Sequence, residues 1–123
     1  MMSARKDLAA ELKPLLPKQW RLVDTERSID KIDRFTVVIR QRKVKPAPNL
    51  QGSLLTTLVV TLIGPTTLAG DYEDALDLAV AKLILIVSQK LPSLVWEEAN
   101  KKVWRENPAY DFDVTVVTDL ITS

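Results

Sequence analysis

Two carboxylates stand two residues apart in YDFDV, Asp111 and Asp113, and two more stand side by side in WEEAN, Glu97 and Glu98. On a strand, residues two apart share a face. Asp111 and Asp113 could therefore hold a magnesium ion with Glu97 or Glu98 as a further ligand, the arrangement of a small metal-dependent nuclease. Alternate polar residues are also what the solvent face of a strand looks like, and that reading needs no ligand. A second acidic cluster, DYEDALD from Asp71 to Asp77, lacks the glycine and terminal glutamate of a calcium loop. Acids at a helix start are accounted for by the helix dipole. The chain has neither cysteine nor histidine, which removes disulfides, thiolate nucleophiles, thiolate zinc sites, imidazole ligands and the commonest general base. Its three glycines have neither Walker nor Rossmann spacing. No catalytic residue, cofactor or metal site is assigned on this reading, and the chain is not expected to be an enzyme.

The other chemically marked stretch is RQRKVKPAPNLQG, which places Arg40, Arg42, Lys43 and Lys45 ahead of two prolines, with no acid and no aromatic residue. It reads as the end of one strand and a proline-stiffened turn into the next. Simple alternation sets Arg40 and Arg42 on one face and Lys43 and Lys45 on the other. Three roles fit: charges that discourage strand pairing at an edge, a contact arm for an acidic neighbouring subunit, or a grip on nucleic-acid phosphates. A nucleic-acid reader would usually add stacking aromatics or present its cations on a helix. As exposed charges, the four are expected to contribute within about 0.5 kcal/mol each to folding.

These residues belong to a chain of 123 residues, the size of one domain, taken here as residues 1–123. Seventeen Lys and Arg against sixteen Asp and Glu leave a formal charge of +1, so attraction to a polyanion has to be local. The N-terminal MMSARKDLAAELKPLLPKQW has no uninterrupted apolar run, and neither a signal peptide nor a membrane anchor is expected. Ala75 to Val87, the longest apolar segment, is interrupted by Asp77 and Lys82 and is too short to span a bilayer.

Periodicity supplies the elements that would position these side chains. Leu8, Leu12, Leu15 and Leu16 recur at helical spacing behind a capping Ser3, and Pro14 and Pro17 close this first helix. WRLVD (Trp20 to Asp24) reads as a brief strand, followed by the polar connector TERSIDKID. Arg34 to Val44 alternates Phe35, Val37 and Ile39 against Thr36, Val38, Arg40 and Arg42. Ser53 to Ile63 (SLLTTLVVTLI) is apolar on both faces, as expected for a central strand covered on two sides. Asp71 to Lys90 is the main helix, stopped by Pro92. In the last strand Tyr110, Phe112, Val114 and Val116 alternate with Asp111, Asp113 and Thr115 and are expected to face that helix. The segment around Val95 to Trp104 is ambiguous: Glu97/Lys101 and Glu98/Lys102 are helical ion pairs, whereas Trp96 and Trp104 share a face only in a strand. This order argues for an α+β fold, an antiparallel sheet of about four to five strands with the long helix and the N-terminal helix packed on it.

On the main helix Ala75, Leu76, Ala79, Leu83, Ile86 and Val87 form a core stripe. Leu78, Ala81 and Leu85 form a second apolar stripe on the opposite side, flanked by Asp77 and Lys82. Either the N-terminal helix lies over them or they form a subunit interface.

The whole pattern resembles a family. LKPLLPKQW, DYEDALDLA, LVWEEANKKVW and AYDFDVTVVT, in this order, are similar to the tail terminator proteins of long-tailed bacteriophages, particularly those of actinobacterial phages. The resemblance covers nearly the full length and rests on element order, Trp20 after the first helix, the Asp71-x-x-Asp74 helix start, Trp96-x-x-Ala99 and Ala109-Tyr110-Asp111. It implies a homo-oligomeric ring, usually a hexamer, that sits on the tail tube protein, halts its polymerisation and meets a head-completion or neck protein, in the tail of a virion assembled in the host cytoplasm. It implies that Val95 to Trp104 is a strand. It also puts the basic arm against the tube subunit or in the ring lumen, where it would touch passing DNA without sequence preference. Another head-tail connector or minor tail protein would share these features.

Overall fold

A computed structural model describes residues 4–23, 32–47, 52–65, 72–91 and 94–119. The elements follow in the order α1 (Ala4–Leu12) with a 3-10 turn at Lys13–Leu15, β1 (Arg21–Val23), β2 (Thr36–Pro46), β3 (Ser53–Ile63), α2 (Tyr72–Lys90), β4 (Val95–Trp104) and β5 (Asn107–Asp119). Ser3, Asp71, Pro92, Pro48 and most of the TERSIDKID connector lie outside the described residues.

The strands make one five-stranded sheet in the order β1-β2-β3-β5-β4. The β-branched, doubly apolar β3 is its middle, antiparallel to β2 on one side and to β5 on the other. The sheet is not wholly antiparallel. β1 runs parallel to β2, pairing Arg21 with Thr36 and Val23 with Val38, because the connector from Val23 to Thr36 is long enough to return the chain before the next strand starts.

Both helices lie on one face of this sheet. Leu8, Leu12 and Leu16 from the N-terminal segment and Leu76, Ala79, Val80, Leu83 and Val87 from α2 share a core with Val37, Ile39, Leu58, Val60, Leu62, Phe112 and Val114. Of the expected core stripe, Ala75 and Ile86 are half-buried and Val80 joins it. Tyr110 ties helix to sheet by donating its hydroxyl hydrogen to Asp77 Oδ1 at 2.7 Å. Val116 is half-buried. β3 is buried on both faces from Thr56 to Ile63, the two-sided cover expected, and the packed helices supply one side of it. On the other side Val59 and Thr61 are buried beside a small cluster of Val23, Val38, Ile63, Trp104 and Ala109, against which Ile32 of the connector packs.

The ambiguous segment is a strand, and magnitudes explain why. Two exposed i, i+4 ion pairs are worth about 0.2–0.5 kcal/mol each in a helix. As a strand, Trp96 packs edge-on against Phe112, with ring centroids 6.2 Å apart, and donates Nε1–H to Ser88 Oγ at 3.1 Å. Fully burying a large apolar side chain is worth about 1.5–3 kcal/mol, and the half-buried Trp96 gains a good part of that before any aromatic pairing is counted. The strand does not bring the two tryptophans to one face. An extra residue between Trp96 and Ala99 shifts the register, so Trp96 pairs with Val114 on the helix side while Trp104 pairs with Asn107 on the other.

The turn from β4 to β5 holds just Arg105 and Glu106, at φ 45° and 73°. Two-residue hairpins favour left-handed residues at both positions, normally Asn and Gly. Here two long side chains occupy them, and Asn107 Nδ2 donates to the Arg105 carbonyl at 3.2 Å.

Two stability outcomes follow from this packing. Phe112, only 1% exposed, sits where sheet and α2 meet, and Phe112→Ala is expected to cost about 3–5 kcal/mol in urea unfolding. A loss under about 1 kcal/mol would place this strand outside the core. Glu106→Gly relieves a left-handed non-glycine residue and is expected to raise stability by about 1 kcal/mol. A lowered melting temperature would mean that the Glu106 side chain itself holds the turn.

Candidate functional site

The helix-free face is built from alternate residues of β2, β3, β5 and β4. Directly opposed residues of an antiparallel ladder project to the same side, so Arg40 goes with Val59, Thr61 with Asp111, and Asp111 with Asn100. Here the basic stretch departs from simple alternation. Between Gln41 and Lys43 the register slips by one residue, after which Lys43 pairs with Thr57 and Lys45 with Leu55. Val59, Thr57 and Leu55 all belong to the helix-free side of β3. Lys43 and Lys45 therefore join Arg40 there instead of pointing away from it. Arg42, the inserted residue, reaches Asp113 on the same side, so one bulge gathers all four cations onto one face.

At the centre of this face stands Asp111. Thr61 donates Oγ1–H to its Oδ1 at 2.6 Å, Lys102 Nζ lies 3.1 Å from Oδ2, and Arg40 Nη2 lies 3.8 Å from the same oxygen. Arg42 Nη1 meets Asp113 Oδ2 at 2.6 Å. Arg40, Lys102 and Arg105 also surround the Trp104 ring, 5.4, 5.6 and 5.8 Å from its centroid. Such contacts draw on the ring quadrupole and cover an indole that is 8% exposed. The sequence reading missed Lys102, Trp104, Arg105 and Thr61 as members of this cluster.

An open groove of about 930 Å³ runs beside the cluster, lined by Arg5, Arg40, Arg42, Glu97, Glu98, Asn100, Asp111 and Asp113. The pairing expected of a nuclease, Asp111 and Asp113 with Glu97 or Glu98 nearby, is thus brought together. Its carboxylates, however, already face three cations. A divalent ion there would have to displace Arg42 and compete with Lys102 and Arg40 at once. Among the described residues no group of three or more Asp or Glu is disposed to hold a metal ion.

On the far side of the molecule, Leu78 is 73% and Leu85 56% exposed, with Ala81 exposed between them. α1 does not lie over this stripe; its Leu8 and Leu12 are in the sheet core. No family model matches the chain, and no curated protein does.

The Asp111 cluster separates two kinds of basic residue. Asp111→Ala strips a half-buried acceptor from Lys102, Arg40 and Thr61 and is expected to cost about 1–2 kcal/mol, since hydrogen bonds to charged groups are the stronger ones and partial exposure discounts them. Lys45→Ala, at an exposed strand end, is expected to change stability by less than about 0.5 kcal/mol. Equal urea midpoints for the two variants would show the cluster to be solvated and energetically idle.

Proposed function

We propose that the protein is a tail terminator, a subunit of a closed ring, six-membered in the family it resembles. The ring caps the tail tube, stops its polymerisation and joins the tail to head-completion proteins, so the protein acts by assembly and not by catalysis. The observation that carries this reading is the outer stripe of α2. A helix already seated on a sheet through Leu76, Leu83 and Val87 presents Leu78, Ala81 and Leu85 as well, and two large leucines at 73% and 56% exposure form an apolar strip with an acid and a base, Asp77 and Lys82, beside it. Contact between unlike surfaces of identical subunits closes into a ring when the rotation between them closes. The sheet supports the same reading at its two edges. β4 has no strand on its outer side among the described residues, and β2 beyond Val38 has no β1 partner. Unpaired strand edges readily accept a neighbour.

Sedimentation and light scattering over a range of concentrations, with negative-stain imaging, test the ring directly. Closed cyclic oligomers are expected for the natural protein. Leu85→Asp is expected to dissociate them to folded protomers with an unchanged circular dichroism spectrum. A strict monomer at high concentration would end the proposal. A ring that leaves purified tail tubes uncapped would make the protein a different head-tail connector.

A further inference from the structure

We infer that the helix-free sheet face binds the phosphate backbone of duplex DNA without reading its sequence. The ring reading supplies only the place where such a duplex would pass; the binding itself rests on the chemistry of this face. Arg40, Arg42, Lys43 and Lys45 all lie on it because of the β2 bulge, and Lys102 and Arg105 on β4 and its turn add cations at the other end. Same-face positions on a strand recur about every 6.6 Å, and neighbouring phosphates on one strand of a duplex are spaced on the same scale, because the backbone winds as it rises about 3.4 Å per nucleotide along the axis. Lys43 and Lys45 can therefore meet neighbouring phosphates.

The acids on this face do not cancel the row. Asp113 holds Arg42, and Asp111 holds Arg40 and Lys102, so these three cations are fixed in direction while remaining partly exposed. Glu97 and Glu98 sit at the β4 edge. The residues directly opposed to Lys43 and Lys45 along this face are Thr57, Thr115, Leu55 and Val117, none of them charged, and the next acid positions in the register are Asp113 on one side and Asp119, paired with Ser53, on the other.

Two observations select the ligand. Trp104 is the one aromatic residue described on this face, and it is buried beneath Arg40, Lys102 and Arg105, so no base of a single strand can stack on it. Among the described residues no helix lies across this face to enter a major groove, α1 reaching its groove only with Arg5, which leaves backbone contact. An acidic protein segment would need positive charge at one spot; the cations here extend along β2 and reappear on β4, as a continuous polyanion requires.

The test is fluorescence anisotropy with a labelled random duplex of about 30 base pairs, between about 50 and 200 mM salt, beside a single strand of equal length. We expect micromolar binding at the lower salt, duplex preferred over single strand, and no dependence on sequence. Lys43→Ser with Lys45→Ser is expected to weaken binding at least tenfold at low salt and to flatten the slope of log affinity against log salt by about 1.8 per subunit engaged. The double Lys→Arg variant should keep both. Absence of binding at low salt, an unchanged slope in the serine variant, tighter binding of the single strand, or displacement by polyglutamate as effective per charge as by DNA would each overturn the inference. The last outcome would assign the face to an acidic protein. The two readings fail separately: a natural protein that stays monomeric yet binds the duplex removes only the ring, and a natural ring that ignores DNA removes only this inference.

Discussion

Both helices pack on the same side of the sheet, and most of what is distinctive in this molecule answers the problem that creates. β3 has apolar and threonine side chains on its other face too, and among the described residues these are covered without a helical core, by side chains of the strands and by Ile32 of the connector. Thr61 is fully buried there and finds its partner in Asp111. Asp111 in turn anchors Lys102 and Arg40, whose long stems lie across the strands while their charged heads stay near water. Trp104 completes the cover from the edge strand. The charges on this face thus have structural work already, which is why Asp111 is poorly placed to serve as a metal ligand. Its oxygens are already engaged in keeping the centre of the sheet dry.

The opposite side of the protein is free of this constraint. α2 shields one face of the sheet, and its outer stripe of Leu78, Ala81 and Leu85 points farther out still. A contact made through α2 and a contact made through the helix-free face therefore lie on opposite sides of the sheet and do not compete. A subunit built this way can hold neighbours with one surface and leave the other open.

Elements set by a pattern repeated over many residues were readable from the chain alone. β3 runs from Ser53 to Ile63 as its alternation indicates, α2 spans the expected helix, and the exposure of Leu78 and Leu85 follows from their position opposite the core stripe. What escaped are features decided between strands. Whether β2 inserts a residue at Arg42, or β4 at Glu97 and Glu98, depends on the partner's register, and alternation within one strand cannot report it. Each bulge does leave a local trace: two charged residues in succession, Arg42-Lys43 and Glu97-Glu98, where period two demands one. Missing those traces put Lys43 and Lys45 on the wrong face and Trp96 on the same face as Trp104, and with them went Lys102 and Arg105 as members of the cluster. The parallel β1 escaped for a related reason, since strand direction follows from the path of the connector.

The Arg105-Glu106 turn bears on how the chain assembles as it is synthesised. A hairpin closed by two left-handed residues with full side chains starts at a disadvantage of about 1–2 kcal/mol per residue, and isolated hairpins are marginal even with ideal turns. β4 and β5 are thus a poor nucleus by themselves. β5 is wedged between β3 and β4, and its ladder to β3 joins Ser53 with Asp119 across the whole of α2. A nascent chain on the ribosome can pair β2 with β3 early, but then has to hold the inner edge of β3 open until β5 emerges. Pairing so distant in sequence belongs to the slow regime of folding, milliseconds to seconds. Over that interval the most apolar strand of the protein is exposed, and the proline-flanked, cation-rich end of β2 is the part of the early hairpin best suited to keep it from pairing with other nascent chains.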